Sequence, residues 1–155
     1  RITEVLKMAK KTKRSYAELD SILGGRNYRD NNYCALIALS IATHVNVGKI
    51  KRYVENHKGL ARRKHGKGTP FALIDRATLR FGKMTDPEFV VTSALRGRTL
   101  HTVHTKLARD YPNDTFFIYT SGHMACIREG ILEDWTARKP SRRIVRNIYR
   151  IIDRS

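Results

Sequence analysis

The most apolar segment of the chain is Ala35 to Ala42, which is interrupted by one hydroxyl, that of Ser40. It follows the polar residues 29–33 directly, and Cys34 stands at the junction. An apolar run without a polar face is typical of a helix that is buried on all sides. The pattern therefore predicts a buried helix with Cys34 as its first residue.

Capping and turn residues predict further helices before residue 110. Ser15 and Glu18 form a capping box, Asn46 is a preferred N-cap residue, and Pro70 suits the first turn of a helix. A strand follows, so helices come first and strands last, which indicates an α+β fold. The predicted elements are a basic helix at 3–11, a short helix from Ser15 to the glycines 24–25, helices at about 46–57, 70–81 and 100–109, and a strand at 115–119.

A β-hairpin is predicted after this strand, because the turn dipeptide Glu129-Gly130 separates two largely apolar segments, 123–128 and 131–135. A two-residue turn places residues opposite each other when their numbers sum to 259. A three-residue turn with a bulge at Gly130 shifts that sum to 258. Since side chains alternate between the two faces of a strand, this shift exchanges the faces of the return strand.

The register of the hairpin decides which acid lies on the same face as His123. In the two-residue register Asp134 shares the face of His123 and lies diagonally across from it, within reach of its side chain. In the three-residue register Glu133 takes that place. We favour Asp134 and keep Glu133 as the alternative. In the favoured register Cys126 points away from His123, so we interpret it as a thiol of the core.

Cys34 and His123 are candidates for a nucleophile and its general base. A thiol at the N-terminus of a helix lies at the positive end of the helix dipole, which favours the nucleophilic thiolate. A histidine can accept the thiol proton, and an acid can hold the imidazole in the productive tautomer. We therefore predict a triad of Cys34, His123 and Asp134 in which the thiolate attacks a carbonyl carbon.

The order of cysteine helix, histidine strand and acid resembles the papain-like cysteine peptidase superfamily. Within it, the chain is similar to small papain-like proteins of tailed bacteriophages, and the resemblance covers most of residues 30–152. The motifs that carry it are Asn32-Tyr33-Cys34 with the apolar run after it, Gly68-Thr69-Pro70, Ser121-Gly122-His123, Gly130 and Trp135.

The resemblance implies a single papain-like domain over residues 1–155, with a basic helical extension at 1–26. N-terminal helices, among them the buried cysteine helix, would pack on a C-terminal antiparallel sheet. The pattern of 143–152 suits a helix or a strand, and the resemblance favours the strand. The implied activity is hydrolysis of a peptide or isopeptide bond in a peptide or protein substrate. The implied location is the host cytoplasm or the virion.

The oxyanion hole departs from the family pattern. Papain-like enzymes commonly have a Gln about six residues before the cysteine, and this chain has Tyr28 there. Asn31 or Asn32 would supply the side-chain donor instead, together with the backbone N–H of Cys34, since any preorganised donor serves.

The charge of the chain suggests a second function. It carries 31 Lys and Arg against 14 Asp and Glu, a net charge of +17. Such an excess is typical of proteins with a polyanionic partner, and nucleic acid is the default candidate. Because the charge is spread along the chain, we expect contacts with the phosphate backbone rather than with bases. The alternative function is a strongly basic, nucleic-acid-associated phage protein that uses a papain-like scaffold without catalysis. Its expected contact clusters are Arg62, Arg63 and Lys64, and Arg142, Arg143 and Arg146.

Other classes of protein find no support in the sequence. No segment approaches the ~18 apolar residues of a membrane span, and the start at Arg1 has no signal-peptide core, so we expect neither membrane insertion nor secretion by a signal peptide. Two cysteines offer no disulfide framework, which favours a reducing compartment. His101 and His104 are interpreted as a solvent-facing pair, and we expect no metal and no cofactor. The sequence leaves the oligomeric state open.

Overall fold

The computed structural model describes residues 34–57, 71–120, 123–133 and 142–154. Within these ranges the chain forms helices and a five-stranded antiparallel sheet, which confirms the predicted α+β class. The helices are α1 (Cys34–Thr43), α2 (Val47–Asn56), α3 (Phe71–Arg80) and α4 (Leu100–Asp110). The strands are β1 (Lys83–Thr85), β2 (Thr115–Thr120), β3 (His123–Arg128), β4 (Ile131–Glu133) and β5 (Val145–Asp153).

The described helices begin and end close to the positions that the capping and turn residues predicted. The Asn46 side chain caps α2 by accepting a hydrogen bond of 2.8 Å from the backbone N–H of Gly48. Thr99 caps α4 in the same manner. Gly82 follows α3 with a φ of +91°, a conformation that glycine adopts without a steric cost. The predicted basic extension at 1–26 lies outside the described residues.

The order of strands in the sheet is β1-β5-β2-β3-β4. The tail segment that was predicted as a strand is β5, and it lies between β1 and β2. The expectation that all strands follow all helices is wrong in one place, because β1 lies between α3 and α4. This strand has three residues, too few to show a periodic pattern, and it forms by pairing with the distant residues 151–153.

A helix covers each face of the sheet. α1 packs on the face that carries Phe117 and Cys126, and α4 packs on the face that carries Phe116 and Ile127. α2 and α3 also pack against α1, so residues 35–43 are all buried, as the apolar run predicted. The two faces hold two separate apolar clusters. Among the described residues, no helix is long and apolar enough to cross a membrane.

Candidate active site at the start of the cysteine helix

The direction of α1 relative to β3 brings Cys34 and His123 to the same end of the molecule. At the other end, Nη1 of Arg128 donates a hydrogen bond of 3.1 Å to the carbonyl oxygen of Ile41 and lies 3.2 Å from Nδ1 of His44. From Ile41 back to Cys34 the helix rises about 10 Å, and from Arg128 back to His123 the strand rises about 17 Å. The start of α1 and the start of β3 therefore lie at the same end of this helix-on-strand pair.

Tyr119 lies near the thiol, and Tyr149 packs against Tyr119. Cys34 is partly buried and packs against the apolar cluster of α1 together with Tyr119 and Tyr149, whose rings meet edge to face at 5.8 Å. Burial raises the pKa of the Tyr119 hydroxyl, with smaller contributions from Tyr149 and from Cys34. The last contribution shows that the thiol lies within electrostatic reach of Tyr119. The Asn147 amide donates a hydrogen bond of 2.7 Å to the Tyr149 hydroxyl, which adds a polar pair on β5.

Sequence reasoning did not identify these tyrosines as part of the site. Tyr119 could have been identified from the alternation of side chains along β2. This alternation places Tyr119 on the same face as Phe117, opposite the cysteine helix. Tyr149 pairs with Phe117 across β2 and β5. Its place next to Tyr119 depends on the insertion of β5 between β1 and β2, which no local sequence pattern reveals.

The hairpin has the two-residue turn that was favoured. Arg128 pairs with Ile131 and Cys126 with Glu133, so the paired numbers sum to 259. Glu129 and Gly130 have φ of 51° and 79°, and two successive left-handed residues are the mark of a type I′ turn. The turn twists in the sense of the flanking strands, which keeps the ladder in this register.

The register places Glu133 on the face opposite to that of His123. The side chain of Glu133 is buried, and Oε2 lies 3.3 Å from Nη2 of Arg128. Glu133 therefore makes a structural contact on the face of the sheet that α1 covers. The bulged alternative, in which Glu133 orients His123, is wrong. Asp134 lies outside the described residues.

Strand alternation places His123 on the α4 side of the sheet. Its face is that of Ala125 and Ile127, whereas α1 covers the face of Met124 and Cys126. The sequence predicted which residues share the face of His123, but it did not predict which face the cysteine helix would cover. A contact between Cys34 and His123 therefore requires the imidazole to pass around the end of β3, where His123 is the first residue and is partly exposed.

Cys126 is a thiol of the core, as predicted. It is fully buried against the apolar cluster of α1 and lies across from Glu133. Burial raises the pKa of this thiol, the charge of Glu133 raises it further, and Arg128 opposes the shift. A protonated, inaccessible thiol is a poor nucleophile, so the geometry leaves Cys34 as the reactive candidate.

The buried Cys126 gives the protein a pH-dependent stability on the alkaline side. The thiol ionises near pH 8.5 in the unfolded chain but stays protonated in the folded chain, so the unfolded state binds fewer protons above that pH. We expect the free energy of unfolding to fall with pH more steeply in the parent than in Cys126→Ala, with a difference in slope that rises toward about 1.4 kcal/mol per pH unit as the pH approaches 10. Urea unfolding between pH 8.5 and 10 measures both slopes. Identical slopes would contradict the assignment.

The remaining predicted site residues fall into two groups. Arg142 and Arg146 are exposed and Arg143 is partly buried, beside the start of β5. Outside the described residues lie the predicted oxyanion donors Asn31 and Asn32 and the basic cluster of Arg62, Arg63 and Lys64.

The two histidines of α4 do not form a solvent-facing pair. His101 is exposed, but the ring of His104 is partly buried, and its Nε2 lies 2.8 Å from the carbonyl oxygen of Gly130. Because a carbonyl only accepts, this nitrogen carries the proton and donates. His104 thus ties α4 to the hairpin turn. Within the ranges that the structure describes, no three side chains of His, Cys, Asp or Glu group as metal ligands.

Comparisons with protein-family models, with curated proteins and with solved structures found no match for this chain.

Proposed function

We propose that this chain is a papain-like cysteine hydrolase that cleaves peptide or isopeptide bonds, with Cys34 as its nucleophile. The observation that carries the proposal is the position of the thiol. Cys34 is partly exposed at the start of a helix whose next nine residues are buried, and this start lies at the His123 end of β3. Access and the positive end of a helix dipole are the two conditions that make a thiol reactive.

The proposed reaction uses three side chains. His123 takes the proton from Sγ of Cys34, and the thiolate attacks the carbonyl carbon of the substrate. The imidazolium then gives that proton to the leaving amine, the C–N bond breaks, and a thioester remains on Cys34. His123 next takes a proton from water, the hydroxide attacks the thioester carbon, and the C–S bond breaks to release the acid. Asp134 holds the imidazole tautomer throughout.

The developing oxyanion needs donors that are in place before the reaction. The backbone N–H of Cys34 is one proposed donor, and the side chain of Asn31 or Asn32 is the other. Tyr119 lies near the thiol on the sheet side, with Tyr149 packed against it, so the substrate would approach from the side away from the sheet.

Proton transfer from Cys34 to His123 requires a particular orientation of the His123 ring. Its position at the first residue of β3, paired with Thr120 at the last residue of β2, puts it at the end of the ladder. The imidazole can take the proton of Cys34 if its ring lies over the end of β3 and not on the α4 face, where Ala125 and Ile127 lie.

The proposal predicts a large difference in reactivity between the two cysteines. At pH 7 we expect iodoacetamide to alkylate Cys34 at least roughly 100-fold faster than Cys126, because thiolate fraction and access govern the rate and Cys126 is fully buried. Mass spectrometry of digested samples follows each site. Cys126→Ala is the matched control, in which the rate at Cys34 should be unchanged. Equal, slow alkylation at both sites would remove the nucleophile hypothesis.

A further inference from the structure

Two segments that are far apart in sequence meet beside the start of β5. Thr99 and Ile144 form an isolated antiparallel bridge. Backbone hydrogen bonds on either side of it run from Gly97 N–H to the Val145 carbonyl (2.9 Å), from Val145 N–H to the Arg98 carbonyl (2.8 Å) and from Leu100 N–H to the Arg143 carbonyl (2.7 Å). The contact fixes the loop before α4 against the segment that enters β5.

This contact brings together two segments that carry five arginines, which we call the arginine patch. Four of its members are exposed and Arg143 is partly buried. Paired backbone segments lie about 4.8 Å apart, so Arg98 and Arg143, which flank the bridged residues, are close neighbours along the backbone. The other three arginines lie within three residues of the bridge in the sequence. The members are Arg96, Arg98, Arg142, Arg143 and Arg146.

Among the described residues, no acid forms an ion pair with an arginine of the patch. Residues 89–109 and 142–152 contain no Asp or Glu. In the part of the chain that the structure describes, the acids that form ion pairs do so with cations elsewhere. These pairs are Glu55 with Lys51, Asp153 with Lys83, Asp110 with Arg109, Glu133 with Arg128, and Asp86 and Asp114 with Arg150. Five neighbouring positive charges repel one another, which costs stability unless an anion is bound.

The chemistry of the patch selects the type of anion. Guanidinium groups bind phosphate oxygens in a bidentate manner, and a row of them fits a row of phosphates. Segments 90–99 and 142–146 contain no aromatic residue on which bases could stack. This composition favours contact with the backbone of a duplex over the binding of unstacked single strands.

We infer that the arginine patch binds the phosphate backbone of double-stranded nucleic acid without sequence preference. The inference is independent of the proposed hydrolase, because the patch contains neither Cys34 nor His123. Arg96 and Arg98 are the contacts that the sequence did not reveal, since they join the predicted cluster of Arg142, Arg143 and Arg146 only through the Thr99–Ile144 bridge.

The test compares two variants of equal net charge. The patch variant changes four exposed arginines to Gln, and the control variant changes four exposed cations elsewhere to Gln, so each loses four positive charges. The patch variant carries Arg96→Gln, Arg98→Gln, Arg142→Gln and Arg146→Gln. The control variant carries Lys49→Gln, Arg52→Gln, Arg76→Gln and Arg154→Gln, all at exposed positions.

Fluorescence anisotropy with a mixed-sequence 20-base-pair DNA duplex measures affinity at several salt concentrations. We expect the patch variant to bind roughly 100-fold more weakly at 0.1 M salt, with the slope of log affinity against log salt smaller by about 3 to 4. We expect the control variant to change affinity less than about 5-fold. Circular dichroism verifies that both variants are folded, and alkylation of Cys34 should be the same in both.

Three results would overturn the inference. The first is undetectable duplex binding by the parent protein at 0.1 M salt. The second is an equal loss of affinity in the two variants, which would assign binding to the overall charge. The third is tighter binding of oligo(dT) or polyglutamate than of the duplex, with the same dependence on the patch, which would assign the surface to single strands or to an acidic protein.

Discussion

His123→Ala is expected to slow any peptide cleavage by the protein by about 10² to 10⁴-fold, the usual contribution of a positioned general base. It should slow the alkylation of Cys34 at pH 7 by up to about 30-fold, because a free thiol still has about 3% thiolate at that pH. Without the imidazole, the proposed acceptor of the thiol proton is gone and no imidazolium stabilises the thiolate. Asp134→Asn should lower both rates less than His123→Ala, because the base remains but its tautomer is no longer held. Stopped-flow alkylation and mass spectrometry of a digested peptide library measure the two effects.

Glu133→Gln is the matched control for Asp134→Asn. It removes the acid at the adjacent position of the sequence, and Glu133 lies on the opposite face of the hairpin from His123. It should therefore leave the reactivity of Cys34 within about 3-fold of the parent. An unchanged rate in His123→Ala would mean that the imidazole stays on the α4 face and does not meet Cys34, and the triad would be wrong.

Arg128→Met is expected to lower the free energy of unfolding by roughly 3 kcal/mol, near the lower end of what breaking a buried ion pair costs. The Arg128 guanidinium contacts the Ile41 carbonyl at the end of α1, the ring of His44 and the carboxylate of Glu133, whose side chain is 4% exposed. Methionine keeps much of the apolar stem but removes every donor and leaves Glu133 without this partner. Urea unfolding followed by circular dichroism measures the loss.

A double variant separates the ion pair from the contact at the helix end. Arg128→Met combined with Glu133→Gln has no carboxylate at position 133, so it should be more stable than Arg128→Met alone. The part of the unfolding free energy that the double variant does not recover measures two contributions. These are the hydrogen bond to Ile41 and the favourable placement of a cation at the C-terminus of α1. A loss below about 0.5 kcal/mol in Arg128→Met would show that these contacts are not maintained in solution.

The elements that the sequence predicted correctly are those with local causes. Asn46 and Gly82 mark helix ends through their own backbone and side-chain chemistry, and the apolar run after Cys34 requires burial. The Glu129-Gly130 turn sets the register of its hairpin, since two successive left-handed residues match the twist of the strands. In each case the information lies within a few residues of the feature.

The features that the sequence did not reveal depend on contacts between distant segments. The face of β3 that α1 covers is decided by the packing of Phe117 and Cys126, and both faces of this strand are apolar, so its pattern is ambiguous. Arg128 offers no local sign that it will bind the end of α1, which lies 87 residues earlier. Arg96 and Arg98 join the other arginines only through a bridge to Ile144.

The position of β5 has a consequence for how the protein is made. This strand is the last described one along the chain, yet it separates β1 from β2 and pairs with both. While the ribosome has delivered only the residues before 145, β1 has no neighbour in the sheet and one edge of β2 stays open. The nascent chain therefore exposes one edge of the apolar strand β2 until β5 arrives, and during that interval a chaperone or a second copy of β5 can occupy the gap.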